Sequence, residues 1–218
     1  MKKFGTAKGS SGLGDTLLFN AVCKNLSEIK TIQLRPAQQR FSILFDKIAD
    51  IEITETVNVL PDIGRGHYTL IKLKNFFKHP ENLDIRPVVL YSDEESEAWA
   101  THILSKIKKP AVIFQPNCSA SWQHIRGMPS LLQQKILTEI SDRYSIINMS
   151  SSEFKGLDLP KYICLLRRCG RYIGCNTGDM HLAISVGCIC DVYQPSACYE
   201  FEPEKWHYEH PSITYKKF

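Results

Sequence analysis

Three polar turns hold the side chains that chemistry needs. The run Arg171–Gly187 reads as an apolar strand (Tyr172, Ile173, Cys175) broken at Asn176, Thr177 and Gly178, then a helix carrying Asp179, Met180 and His181. A helix opening on Thr177 turns its first N–H groups outward, which makes a seat for an anion such as a phosphate. His181 is either a satisfied structural residue or a neighbour of that phosphate. Asp179 either caps the helix, contacts a hydroxyl or repels the anion. Near the start of the chain, Gly9, Gly12 and Gly14 lead into Asp15, Thr16 and the apolar run Leu17, Leu18, Ala21, Val22, Leu26. Glycines allow close approach of a ligand to the backbone, and Asp15 is either a helix-start carboxylate or a base. From Gln115 to Pro129 a polar loop holds Asn117, Ser121, Trp122, His124 and Arg126. Its hydroxyl and amide donors with one fixed cation suit a diphosphate, because a guanidinium pairs with two oxygens at once. Two anion-friendly turns in two halves suggest a cleft between domains.

Several classes are disfavoured. Gly9, Gly12 and Gly14 lack the G-x-G-x-x-G spacing of a dinucleotide fingerprint and the Lys-Ser/Thr ending of a P-loop, so a nicotinamide enzyme is not expected. The eight cysteines include no C-x2-C pair, and Cys188 and Cys190 have a single residue between them, so no metal is expected and the thiols read as small core residues. A net charge of +4 over 218 residues, with its 27 basic residues spread out, does not call for nucleic acid. No apolar stretch approaches the roughly 18 residues of a membrane span, and the start Met1–Thr6 lacks the apolar core of a signal peptide, so a cytoplasmic location is expected. Asn117 and Asn148 sit in sequon-like triplets but beside expected strands, and carry no weight.

These turns need a scaffold, and the periodicity supplies an α/β one. In the first half, strands near 31–35, 51–57 and 87–91 alternate with helices near 15–28, 37–48 and 68–77, after a weak first strand within 2–7. Ser92 and Glu95 form a capping box that opens a helix over about 93–107, linking the halves. The second half is cleaner, with strands at 111–115, 145–149, 172–175 and 189–193 alternating with helices near 129–142, 158–169 and 178–187. Apolar strands in this rhythm imply a parallel sheet covered on both faces, with ligands at its C-terminal edge. Every polar turn falls there: 115–126, 150–155, 176–181 and 194–196.

The combination resembles the heptosyltransferases, ADP-heptose-dependent glycosyltransferases of lipopolysaccharide biosynthesis. The stretch Gly12–Leu18 looks like the family's N-terminal glycine-rich loop, Phe114–Arg126 like the loop after the first strand of the C-terminal domain, and Cys175–Gly187 like the strand–turn–helix that grips a nucleotide diphosphate. The family's Asp in the third motif is Asn176 here, and its second-loop Lys has only His124–Arg126 in approximate alignment. The resemblance implies a GT-B-like fold: two Rossmann-like α/β domains with parallel sheets facing a central cleft. These would be an acceptor-side domain over 1–108, reduced relative to typical members, and a donor-binding domain over 109–218. It implies Asp15 as catalytic base, and donor contacts from Gly12, Gly14, Thr16, Asn117, Ser121, Arg126, Glu153, Asn176, Thr177, Gly178, Met180 and His181. It further implies inverting, metal-independent transfer from a nucleotide-sugar, with an ADP-linked heptose as one candidate, to a hydroxyl on a glycan or other acceptor, without a separate cofactor. Peripheral contact with a membrane is compatible with that role. The alternatives are a catalytically inactive nucleotide-sugar-binding protein of the same fold and a sugar-nucleotide epimerase.

Overall fold

The computed structural model describes residues 2–5, 12–26, 29–55, 58, 77, 84–118, 123–196 and 208–218. The chain divides into two compact units, Met1–Tyr91 with Phe201–Tyr208, and Ser92–Glu200 with Glu209–Phe218.

In the first unit, strands β1 (Lys2–Gly5), β2 (Ile29–Leu34) and β3 (Asp50–Ile53) pair in parallel in the order β1-β2-β3. Helix α1 (Leu13–Asn25) joins β1 to β2, and every residue from Thr16 to Cys23 is buried. The expected helix over 37–48 is a 3-10 helix, Pro36–Phe45, which buries Gln38, Phe41, Leu44 and Phe45. The helix expected near 68–77 lies outside the described residues except for Phe77.

The strand expected at 87–91 is irregular chain. Its backbone is satisfied by a side chain in place of a neighbouring strand. Asn20, fully buried on α1, donates its amide to the Val88 carbonyl at 2.9 Å and to the Leu44 carbonyl, while its oxygen accepts from the Val88 N–H at 2.9 Å. One carboxamide thus takes both polar groups of Val88, and the apolar run that reads as a strand has no ladder to join.

The second unit opens with α2 (Glu94–Ser105). Asp93, one residue after the expected Ser92, is its cap and accepts from the Ser96 N–H at 2.8 Å. The helix packs on α5 (Leu159–Cys169), where Glu97 accepts from Arg168 at 2.7 Å. In the sequence reading α2 precedes a boundary at 108/109; in the structure it belongs to the second unit.

The larger sheet is all parallel, in the order β5-β4-β6-β7-β8. Its strands are β4 (Ala111–Gln115), β5 (Ser145–Asn148), β6 (Arg171–Cys175), β7 (Ile189–Gln194) and β8 (Ile213–Lys217). Strand β8 has no counterpart among the strands expected from the sequence. After β4 come a single turn, α3 (Gln123–Arg126), and α4 (Ser130–Ser141); α6 (Gly178–Ser185) follows β6. Alternation along the strands assigns the faces: Val112, Phe114, Ile173 and Cys175 pack with Ile136 and Ile140 of α4. The intervening residues Ile113, Tyr172 and Val192 face the side covered by α5 and α6, where Ile163, Leu166, Leu182 and Ala183 are buried.

In chain order this is a 2-1-3-4-5 sheet, whose strand order reverses at β4. The crossover to β5 and the crossover to β6 lie on opposite faces, so the loops leaving β4 and β6 diverge and open a crevice at their C-terminal ends. Among the described residues no helix is long and apolar enough to cross a membrane.

Asn20 offers a test of the first unit. Replacing it with Leu leaves the half-buried N–H and C=O of Val88 and the buried carbonyl of Leu44 without this partner, and is expected to lower stability by about 2–4 kcal/mol in urea denaturation. An unchanged midpoint would mean that Val88 is held by something else.

Candidate functional site

Four segments of the second unit meet at the crevice. The end of β4 supplies Gln115, Asn117 and Cys118; α3 supplies Arg126; the end of β6 supplies Asn176; and the first turn of α6 supplies Thr177, Gly178, Asp179 and His181. Gly174 allows the packing beneath them. A Cβ there would collide with the Tyr172 phenol and stand 2.8 Å from the Gln115 carbonyl. The fully buried Tyr172 ring lies in that space and donates its hydroxyl to the Cys175 carbonyl at 3.3 Å.

Thr177 is the N-cap residue of α6, with an extended backbone. Its hydroxyl does not accept from the helix; it donates to the Asp179 carboxylate at 3.4 Å. Asp179 also accepts from the Gln115 amide at 3.5 Å and from its own backbone N–H. Among the roles left open for Asp179, the structure displays contact with a hydroxyl and with the helix start. Burial pushes its carboxyl above the usual carboxylate range, while hydrogen bonds from Gln115 and Thr177 oppose the rise. The buried phenols of Tyr162 and Tyr172 face the same carboxylate, and their ionisation is pushed well up, first by burial and then by Asp179.

His181 is 3% exposed. Burial, and then the charge of Arg126, push its imidazole down to about 3, so the ring is neutral across the physiological range. Arg126 also acts on Cys118: burial raises that thiol, and the guanidinium opposes the rise. Arg126 is thus an electrostatic neighbour of both His181 and Cys118, and Asp179 is one of Cys118.

The loops after β4 and β5 are tied by a chain of amides. Asn148 accepts from the Ser150 N–H at 2.9 Å, Ser150 accepts from Asn117 at 2.8 Å, and Asn117 accepts from Gln123 at 2.8 Å. The other end of Gln123 accepts from the Cys118 N–H at 2.7 Å. Asn176 donates to Gln194 at 3.4 Å, joining the loop after β6 to the end of β7.

Of the residues singled out in the sequence, Asn117, Arg126, Asn176, Thr177, Gly178 and His181 come together here. Met180 is fully buried beneath the turn, leaving it no surface for a ligand. Glu153 is exposed on the turn after β5. Ser121 and Trp122 lie outside the described residues. Gly12, Gly14, Asp15 and Thr16 belong to the first unit, at the start of α1. Asp15 sits in the helix's first turn, where the helix dipole favours its anion. Thr16 is fully buried and donates its hydroxyl to the Gly12 carbonyl at 2.9 Å, holding the glycine turn against the helix. Gln115, Gln123 and Tyr162 join the site with no motif to mark them; their one signal in the sequence is a polar group beside an apolar run. Among the described residues, no three His, Cys, Asp or Glu side chains gather as a metal-binding group, and the seven described cysteines are free thiols.

No protein-family model and no curated protein sequence matches the chain. Its fold is shared with solved glycosyltransferases. The ADP-heptose lipopolysaccharide heptosyltransferase II of E. coli is similar over 99% of this chain and 90% of its own, with a TM-score of 0.62 at 10% identity. The iron-containing dodecameric glycosyltransferase TibC of enterotoxigenic E. coli H10407 is similar over 98% of this chain and 62% of its own, with a TM-score of 0.59 at 13% identity. TibC in complex with ADP-D-β-D-heptose gives 0.54, also at 13% identity and over the same shares of the two chains. The chain therefore spans less than two thirds of TibC. The expected α/β class with parallel sheets stands, and the resemblance holds at the level of the fold.

His181 makes the site's electrostatics measurable. A histidine held near 3 in the folded protein and near 6.5 when unfolded binds its proton only on unfolding, so stability falls as pH drops through that window. From about pH 7 to about pH 4.5 this ring alone is expected to remove roughly 2.5 kcal/mol. Asp179, raised by burial, contributes in the opposite sense. The difference in pH dependence between wild type and His181→Gln isolates the imidazole, and parallel stability curves for the two proteins would contradict a buried neutral ring.

Proposed function

We propose that this chain is a glycosyltransferase that moves a sugar from a nucleotide-diphosphate donor to a hydroxyl acceptor. The observation that carries this reading is the convergence of Arg126, the neutral His181 and the first turn of α6 at the point where strand order reverses. The fold shared with heptosyltransferase II and TibC supports it, and the ADP-D-β-D-heptose complex of TibC makes an ADP-linked heptose the first donor to try.

In this reading the diphosphate lies across α6's opening amides, at Thr177 and Gly178, with Arg126 pairing its oxygens. Asn117 and Asn176 border the same crevice, and Glu153, on the turn after β5, is assigned to the nucleoside. His181 serves as a neutral wall and hydrogen-bonding group, since an imidazole that stays unprotonated adds no charge of its own. Met180 belongs to the packing under the turn. In the first unit, Gly12 and Gly14 give the donor close approach to the backbone, Thr16 holds that turn, and Asp15 acts as base.

The chemistry balances without a separate cofactor. The acceptor oxygen forms a bond to the anomeric carbon as its proton passes to Asp15. The bond from that carbon to the phosphate oxygen breaks, and the nucleoside diphosphate leaves with the electron pair. Attack from the face opposite the leaving group inverts the anomeric centre. The negative charge that builds on the diphosphate is met by Arg126 and by helix-start N–H groups already fixed in place, so a metal ion is not required for that stabilisation.

Two substitutions separate binding from chemistry. Asp15→Asn is expected to lower transfer by about 10²–10⁴-fold with nucleotide affinity nearly unchanged, whereas Arg126→Ala weakens ADP binding by about tenfold. Calorimetry with ADP, UDP and GDP, alongside transfer assays over a panel of nucleotide-sugars, reads both. Tight binding with no turnover on any acceptor would instead favour a binding protein, and full turnover by Asp15→Asn would remove Asp15 as the base.

A further inference from the structure

Arg126 stands at the end of α3, a helix of only four residues. A single turn has no intrahelical ladder long enough to hold its direction, so something outside it must. The side chain of Gln123, at the other end of the same turn, reaches back to the loop that leaves β4. Its oxygen takes the Cys118 N–H at 2.7 Å and its nitrogen donates to the Asn117 oxygen at 2.8 Å. This closes the chain on itself five residues apart, and Asn117 passes the tie on to Ser150 beyond β5.

The other side of the same glutamine is fitted to Gly127. A Cβ at Gly127 would run into the Gln123 carboxamide and would stand 2.7 Å from the Gln123 carbonyl, which itself accepts the Gly127 N–H at 2.9 Å. Beyond it, the Met128 N–H donates to the Pro116 carbonyl at 2.9 Å, and the Met128 side chain enters the core beside Phe114. The turn bearing Arg126 is therefore fastened at both ends to Pro116, Asn117 and Cys118, the residues that follow β4.

We infer that Gln123 and Gly127 form a lock that positions Arg126 at the crevice, making Gln123 a positioning residue for anion binding. The inference rests on the reading of Arg126 as a diphosphate contact. Gln123 reaches no ligand itself in this arrangement, because both ends of its carboxamide are engaged by Asn117 and Cys118. It acts only through the guanidinium three residues on.

The test is a binding cycle with ADP as probe, with UDP and GDP alongside. Gln123→Ala and Gly127→Ala reach the same contact from opposite sides, and each is expected to weaken ADP by about tenfold, as Arg126→Ala does. Adding Gln123→Ala to Arg126→Ala should change affinity by less than about twofold, because the cation that the lock serves is already gone. Hydrogen exchange at the Cys118 amide, measured without ligand, should speed up in both lock variants. Wild-type affinity in Gln123→Ala and Gly127→Ala, or a full additional loss on top of Arg126→Ala, would overturn the lock. A wild-type protein that binds none of the three diphosphates would overturn the reading of the site itself, and the positioning role with it.

Discussion

Parallel pairing of β4 with both β5 and β6 is the constraint from which the rest of the second unit follows. A parallel partner cannot be reached by a tight turn, so each neighbour of β4 requires a crossover. Because the neighbours lie on opposite sides and crossovers are right-handed, α4 must cover one face and α5 the other. The backbone ends of β4 and β6 are then left adjacent with their loops parting. That opening is a product of topology, and its position does not depend on which side chains line it.

What lines it is decided by charge. Burial acts on both ionisable groups of α6's first turn and makes the charged form of each less favourable: it pushes His181 down to about 3 and Asp179 up. For Asp179, hydrogen bonds from Gln115 and Thr177 work against burial and keep the carboxylate supplied with donors. For His181 the second influence, the Arg126 charge, works in the same direction as burial, so the ring stays neutral. A neutral imidazole beside a guanidinium adds no second positive charge there. Asp179 is the opposing element, and its contacts with Gln115 and Thr177 hold the carboxyl on the protein side of the turn.

The parts legible in sequence were those where burial is symmetric. Strands 111–115 and 172–175 are apolar on both faces because helices cover both faces, and an unbroken apolar run between polar turns is the signature of that state. The polar turn at 176–178 was readable for the same reason: it interrupts such a run abruptly. The failures share a cause of their own. Residues 87–91 have strand composition but are held by Asn20, a side chain 68 positions away from Val88 in sequence, and no local pattern encodes such a partner. Asp93 caps α2 where Ser92 was expected, because adjacent Ser and Asp are nearly equal in capping preference and only the backbone direction chooses. Gln123 and Gly127 were invisible because their relation is one of volume, with a missing Cβ making room for a carboxamide.

The fold is shared with the two solved glycosyltransferases at 10–13% identity. Parallel strands buried on both faces accept any apolar side chain of about the right size, so their sequences can drift far while the topology stays. The crevice has no such freedom in its backbone, since Gly174 and Gly127 each occupy a spot where a methyl group would meet a carbonyl oxygen within 3 Å. Position is therefore set by glycines and amide ties, and chemistry by the few side chains mounted on them. Asn176 fits that division. Its backbone N–H bonds the Tyr193 carbonyl at 3.2 Å and its side chain reaches Gln194, so it joins the turn to β7 without the charge of an aspartate.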